Sequence, residues 1–467
     1  MANLFNAMTS NDEATTNGMV TNSTSSNYVL DMFFKMGGSR TMDEPEIERM
    51  FSLAFHENPN LALKSLFYNR DIRGGQGERR SFRIMFHWLC DNYPEVAKRL
   101  VKFVPVYGRW DDLLVTYSTA VGPLAVDTIL NALKTGDKLC AKWMPRENKS
   151  GKKYALALMS AWKLTPRNYR KLLAGNTKVV ETLMCNNEWP AINYNHVPSK
   201  ASHLHRNAFL KHDEDRYREW LTDLSKPETK AKVNAGAIFP HDVIRPYFQY
   251  SAGEDKLIEA QWNALPNYCP DSNKVIAVCD VSGSMTGLPM EVCVALGMYV
   301  AERNNGIFKN GFITFSERPT LQILNGRTLR ARVSQLSKAT WDMNTNLEAV
   351  FKLILGSALS ANLPESDMPD TILIMSDMQF DQCTKSPNDN ALGMIKREYR
   401  DHGYNLPNVV FWNLNTGPGV PAKFNQRGVA LVSGFSPSIL KNILSGEMDP
   451  IKQMMAVLMS DRYAEIK

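Results

Sequence analysis

The feature that most constrains this chain is a change of hydrophobic period near residue 270. From Tyr28 to about Leu265 the apolar residues recur at helical spacing. Phe82, Met85, Phe86 and Leu89 follow an i, i+3, i+4, i+7 pattern that turns one stripe toward a core. Short helices are predicted over Pro45–Phe55, Leu61–Tyr68, Tyr154–Lys163, Lys178–Cys185 and Asp215–Leu224. Thr165 and Pro166 read as the N-cap and first residue of another. No strict repeat period is present, so the succession of short helices predicts a solenoid-like, HEAT-like ring or arc over residues 28–269.

After Pro266 and Pro270 the pattern becomes short apolar runs bounded by loop residues: Lys274–Cys279, Phe308–Phe315, Thr371–Met375, Val409–Trp412 and Val429–Val432. Helical patterns separate several of them, over Pro289–Glu302, Asn346–Leu359, Asn390–Tyr399 and Ser436–Leu444. Strands alternating with helices predict a doubly wound, Rossmann-like α/β domain over 270–467, so the fold class is α followed by α/β. Residues 1–27, rich in Ser, Thr and Asn, are expected to form a flexible tail.

Composition narrows the function classes. With 44% apolar and 22% charged residues the chain is neither wholly disordered nor fibrous. No apolar run reaches the roughly 20 residues that span a bilayer, and the polar N-terminus lacks a signal-peptide pattern. Seven Cys are dispersed without a C-x-x-C pair, which suits reduced thiols and a cytoplasmic location. A monomer without membrane contact is expected. The net charge of +6 is uneven: residues 51–200 hold 23 basic against 12 acidic residues, or +11, whereas 275–467 hold 18 of each. A polyanion partner is therefore expected on the helical half.

The most informative segment is Asp280-Val-Ser-Gly-Ser284, directly after the first strand of the α/β domain. Ligands of such folds bind beyond the carboxyl ends of the strands. Alternation lets Asp280, Ser282 and Ser284 converge, while Gly283 permits a tight turn. Thr345, before a helix, and Asp377, just past the strand Thr371–Met375, reach the same edge. Carboxylate and hydroxyl oxygens without His or Cys suit a hard divalent cation, Mg²⁺ rather than Zn²⁺. The plain alternative is that Asp280 and Ser282 cap the following helix.

This five-residue set, in this order and on these elements, resembles the metal-ion-dependent adhesion site of a von Willebrand factor A domain. The resemblance implies direct coordination by Ser282, Ser284 and Thr345, a largely water-mediated role for Asp280 and Asp377, and a partner carboxylate at an open metal position. A second resemblance is to haloacid dehalogenase-like phosphatases, through Asp280, Thr314 and Ser376-Asp377-x-x-x-Asp381. Those enzymes place a general acid two residues after the nucleophile. Here that residue is Ser282, which has no useful proton to give. No G-x-S-x-G surrounds the serines, and Arg73–Arg79 lacks the G-K-[ST] ending of a phosphate loop. His203, His205 and His212 make a weak metal set.

Three basic groups mark the helical half: Arg73, Arg79, Arg80 and Arg83; Lys142, Arg146, Lys152 and Lys153 with Lys138 and Lys149; and Arg167, Arg170 and Lys171. Such groups neutralise phosphates or stack on bases, or else are solvated helix faces. Asp111, Asp112 and Trp110 have a structural reading as cap and anchor. A helical half joined to an A domain is similar to the Ro autoantigen family, whose TROVE helices form an RNA-binding ring. The motifs Arg70-Asp-x-Arg-Gly-Gly-x-Gly-Glu-Arg79, Tyr107-Gly-Arg-Trp-Asp-Asp-Leu113, Lys142-Trp-Met-Pro-Arg146 and Val197-Pro-Ser-x-Ala201 more closely resemble a related TROVE-like family. The implied function is a non-enzymatic RNA-binding scaffold with a metal-dependent partner site. The rival is a protein–protein assembly factor acting through the metal.

Overall fold

Apolar periods of the two kinds become two packed halves joined along a polar seam. The computed structural model describes the chain except for residues 1–11, 178, 227, 237, 250–252, 270–273, 316–317, 338–344, 382–390, 416, 418 and 444–447. The linker at the expected domain boundary and one end of the predicted Lys178–Cys185 helix therefore lie outside the described residues.

The first half is helical because its caps and stripes are local. Helices Glu44–Glu57, Pro59–Arg70, Lys152–Ala161 and Glu214–Asp223 stand where four were predicted, and Val180–Cys185 covers most of a fifth. Asn58 and Thr165 accept from the amides of Leu61 and Asn168, with a proline at the first turn of each helix. On helix Arg80–Asn92 the stripe Phe82, Met85, Phe86 and Leu89 is buried. The Phe82 and Phe86 rings stack at 5.5 Å.

The expected flexible tail is corrected from residue 12 onward. Strands β1 (Asp12–Ala14) and β2 (Val20–Asn22) form an antiparallel hairpin. Its Thr and Asn side chains, a composition that reads as solvated, instead satisfy carbonyls far along the chain.

In the second half, β3 (Val275–Asp280), β4 (Gly311–Phe315), β5 (Thr320–Ile323), β6 (Thr371–Ser376), β7 (Asn408–Asn413) and β8 (Val429–Ser433) make one sheet in the order β5-β4-β3-β6-β7-β8. Counted within the sheet this is 3-2-1-4-5-6, a doubly wound order. All neighbours are parallel except the edge strand β5, which runs antiparallel to β4. That edge was not foreseen, because its residues are mostly exposed and carry no buried-strand signal. Every residue of β3, β4, β6 and β8 is buried, as a sheet covered on both faces requires. Helix Leu288–Arg303 packs directly on β3, with Gly297 against the Cys279 sulfur, where a larger residue would not fit.

The seam is built by the glycine-rich loop after Arg70. Arg70 is itself buried, and its Nε donates to Asp112 Oδ2 at 2.7 Å. Asp71, fully buried, accepts from Arg462 Nη2 at 2.6 Å and from the Tyr463 hydroxyl at 2.9 Å, so the last residues of the chain lock onto the first half. Gln76 Nε2 donates to the Phe33 carbonyl at 3.0 Å and to Ser433 Oγ, at the end of β8, at 2.8 Å. Gly75 lies against the Tyr68 carbonyl with no room for a Cβ. The loop that carries the exposed Arg73 and Arg79 also clasps the two halves together. Asp71→Ala strands the Arg462 guanidinium and the Tyr463 hydroxyl; a loss of about 3 kcal/mol in urea-unfolding free energy is expected.

Candidate metal centre

The strand order reverses between β3 and β6, so the crossovers leave in opposite directions and open a crevice at the carboxyl ends. Asp280 is the last residue of β3, and Asp377 directly follows β6. Asp280 is fully buried. Its Oδ1 accepts from the Ser282 amide at 2.9 Å and its Oδ2 from Ser376 Oγ at 2.5 Å. The hydroxyls of Ser282 and Ser284 lie 3.0 Å apart, and Ser284, on the turn Gly283–Met285, is exposed. The Asp377 carboxylate Oδ1 accepts from the Gln379 amide at 3.1 Å, and Ser284 lies near enough to lower its pKa. The centre is thus buried at its carboxylates and open at Ser284.

Burial weighs on both carboxylates. Burial first, and then the charge of Asp377, push the Asp280 carboxyl up to about 6, against the opposing bonds from Ser376 and Ser282. Burial also raises Asp377, opposed by Ser284. Two desolvated carboxylates at one sheet edge are a donor set that a divalent cation would neutralise. The helix-cap alternative fails on geometry. Helix Leu288–Arg303 starts behind Gly287, whose φ of 92° suits glycine, and Ser282 makes no side-chain cap bond.

Thr345 sits one peptide away from this set. Its hydroxyl donates to the Gln379 carbonyl at 2.6 Å and its amide to Asp381 Oδ2 at 2.7 Å, while Gln379 contacts Asp377 through its own amide. Four of the five expected members therefore converge, and the fifth is held on the adjoining loop. Four further residues belong here: Ser376, Gln379, Asp381 and Asn17. Ser376 was legible as the strand-end neighbour of Asp377. Asn17, on the hairpin between β1 and β2, carried no signal, because its proximity comes from chain return alone. Among the described residues no three His, Cys, Asp or Glu side chains form a metal cluster, so any ligand set here depends on hydroxyls. Two carboxylates and two convergent hydroxyls fit a hard divalent ion of the Mg²⁺ kind.

The basic candidates divide. Arg83 is drawn to Asp111 and Asp112 at 3.1 and 2.8 Å, Lys142 to Glu181 at 3.4 Å, and Arg170 to Glu147. Arg80 donates to the Met42 carbonyl at 2.7 Å and Arg146 to Thr177 at 3.4 Å. Arg73, Arg79, Lys152, Lys153, Arg167 and Lys171 are exposed. Arg83 and Lys153, from two separate sequence groups, line one groove of about 450 Å³ with His87, Tyr117 and Tyr154. Asp112 Oδ2 accepts from the Arg109 amide at 2.9 Å at the start of the following turn, the cap role expected of it, while the ion pairs of Asp111 and Asp112 with Arg83 and Arg109 were not anticipated. The three histidines do not meet: His203 bonds to Gln261, His205 faces Glu181 at 3.5 Å, and His212 stacks on Trp189 at 4.6 Å.

Comparison with known proteins returns two families and one close relative. Residues 15–114 and 125–273 match the domain of unknown function DUF2828, and residues 274–464 match the domain of unknown function DUF7788. The uncharacterized protein L728 of Acanthamoeba polyphaga mimivirus is 34% identical, over 95% of this chain and 86% of its own length. Among solved structures, proximal thread matrix protein 1 from the mussel byssus aligns at 12% identity and a TM-score of 0.26. That alignment covers 38% of this chain and 47% of that one. At that score the likeness bears on neither fold nor function. No helix among the described residues is long and apolar enough to cross a membrane.

Ser376 bridges the centre by donating to Asp280 and accepting from the Met378 amide at 3.0 Å. Ser376→Ala leaves a buried carboxylate oxygen without its donor. A loss of about 2 kcal/mol in unfolding free energy is expected; an unchanged urea midpoint would show that this bond does not organise the centre.

Proposed function

This chain belongs to the DUF2828 family, and on that footing we propose that it is a binding scaffold whose C-terminal half works as a von Willebrand factor A-type module holding Mg²⁺ or another divalent cation. The observation that carries the reading is the meeting of Asp280 and Asp377 with Ser282 and Ser284 at the crevice where the strand order reverses. When bound, the cation supplies an open position for a carboxylate from a protein partner. Asp280, Asp377, Ser282 and Ser284 hold it, and Thr345 completes the set from the adjoining loop. Both oxygens of Asp280 are engaged, by Ser282 and Ser376, which favours a binding role over a nucleophile of the haloacid dehalogenase type.

RNA on the helical half is the companion reading, with the helices taken as a HEAT-like arc of the TROVE type. The specific observation is the groove lined by Lys153, His87, Tyr117 and Tyr154, with Glu44 and with Arg83 already paired to Asp111 and Asp112; Lys152, Arg167 and Lys171 are exposed elsewhere on the helical half. Cations that meet phosphates beside rings that stack on bases suit single-stranded RNA. If the metal site alone functions, the protein is an assembly factor.

Each half has its own test. Mg²⁺ at about a hundredfold excess over its Kd is expected to raise the unfolding free energy by about 2.7 kcal/mol. In Asp280→Ala/Asp377→Ala the gain disappears; a flat wild-type response sinks the metal reading. Single-stranded RNA is expected to bind with an affinity that falls steeply between about 50 and 200 mM salt. Reversing Lys152, Lys153, Arg167 and Lys171 to Glu flattens that slope, while Asp280→Ala retains it. Absence of RNA binding in the wild type, with Mg²⁺ binding intact, selects the assembly factor.

A further inference from the structure

The rim of the metal centre is covered by residues from the opposite end of the chain. The Thr16 amide donates to Gln379 Oε1 at 2.7 Å, and Thr15 Oγ1 donates to the Phe380 carbonyl at 2.6 Å. Asn17 Nδ2 donates to the Gln379 carbonyl at 2.8 Å and to Thr345 Oγ1 at 3.3 Å. Gly18 makes a backbone bridge to Asp381, and Asn22 and Val420 exchange both backbone bonds, at 3.1 and 2.6 Å. The β1–β2 hairpin thus touches the loop after β6 at four consecutive residues, and a second loop beyond β7.

These attachments are polar bonds to two loops, strongest at Val420, which pairs with Asn22 and also accepts from the Thr21 hydroxyl at 3.0 Å. Thr15, Met19 and Thr21 are buried, while Glu13, Ala14, Thr16, Asn17 and Gly18 are exposed. A segment so anchored belongs to the low-stability end of local opening. Its position is specific nonetheless, because it acts on Thr345. A threonine hydroxyl has one proton and two acceptor sites. Here the proton goes to the Gln379 carbonyl at 2.6 Å, with Asp381 Oδ1 a second acceptor at 3.3 Å, and the Asn17 amide takes one of the two acceptor sites.

We propose that residues 12–22 form a cis-acting strap that regulates the centre: seated, Asn17 occupies one acceptor site of the Thr345 hydroxyl and covers the rim; lifted, the strap frees that site for the cation and opens the rim to a partner. The proposal rests on the metal reading above and assigns its regulation. Cation and strap compete for Thr345, and by linkage each weakens the other by the same factor. A partner that pairs with the backbone at Gln379–Asp381 or Val420 would displace the strap and strengthen cation binding together.

The test locks the strap in the full-length chain. Residues that exchange both backbone bonds across an antiparallel pair have Cα atoms about 5.5 Å apart, within disulfide reach. Asn22→Cys/Val420→Cys in a Cys185→Ser/Cys383→Ser background therefore gives a strap that is shut when oxidised and free when reduced. The probe is Mn²⁺ alone, followed by the paramagnetic signal of the free ion. The oxidised form is expected to bind Mn²⁺ about three- to tenfold more weakly than the reduced form, the range of one or two net hydrogen bonds. Asn17→Ala is expected to bind more tightly than wild type by a similar factor. Amide exchange over residues 13–22 is expected to quicken on Mn²⁺ addition in wild type and not in the oxidised variant. Equal affinities in all forms, with exchange unmoved by Mn²⁺, overturn the strap. The metal reading survives that result if Asp280→Ala abolishes binding. Failure of every form to bind Mn²⁺ overturns both.

Discussion

The buried carboxylate of Asp71 is the tie on which the arrangement of the two halves depends. It lies in the loop after helix Pro59–Arg70 and takes bonds from Arg462 and Tyr463, near the chain's last residue. Around it, Tyr463 packs against the rings of Tyr68 and Tyr107, and Gln76 reaches the end of β8. A buried carboxylate is tolerable only when its lone pairs are met, so the loop, the terminal turn and the sheet edge must come together as a set. The next residue outward is similar: Arg70 is buried against Asp112, which also holds Arg83. One chain of alternating charges runs from the seam into the helical half.

The metal centre inverts this logic. At the seam, carboxylates are paired with cationic side chains. At the crevice, Asp280 and Asp377 are buried beside each other and bonded to hydroxyls and amides. The same desolvation raises the pKa of Asp280 and Asp377 at the crevice, and it is what motivates the cation proposed there. This contrast within one molecule is the physical ground for reading the crevice as a binding site rather than as structural packing.

Much of the site was legible because its core is local. The alternation Asp280, Ser282, Ser284 follows from strand and turn geometry, and Asp377 from the end of the next buried run. The basic residues were less legible. Arg79 and Arg83 looked alike on one helix face, yet Arg83 is spent on Asp111 and Asp112 whereas Arg79 stays exposed. Charge counting cannot see that difference, since the carboxylates that decide it arrive from another turn of the fold. The groove joining Arg83 to Lys153, Tyr117 and Tyr154 was hidden for the same reason.

By itself the sequence determined the helical first half, the buried strands of the second and the oxygen-rich crevice, because each is written in spacings of two to seven residues. Tertiary structure decided what spans hundreds of positions. It placed Asn17 on Thr345, Asp71 on Arg462 and Gln76 on Ser433, and it turned an apparent tail into a strap over the crevice. It also ran β5 antiparallel along the sheet edge, where exposed residues leave no period to read. Local patterns follow from backbone geometry, whereas these contacts follow from which unpaired polar groups the closed chain brings within hydrogen-bond reach.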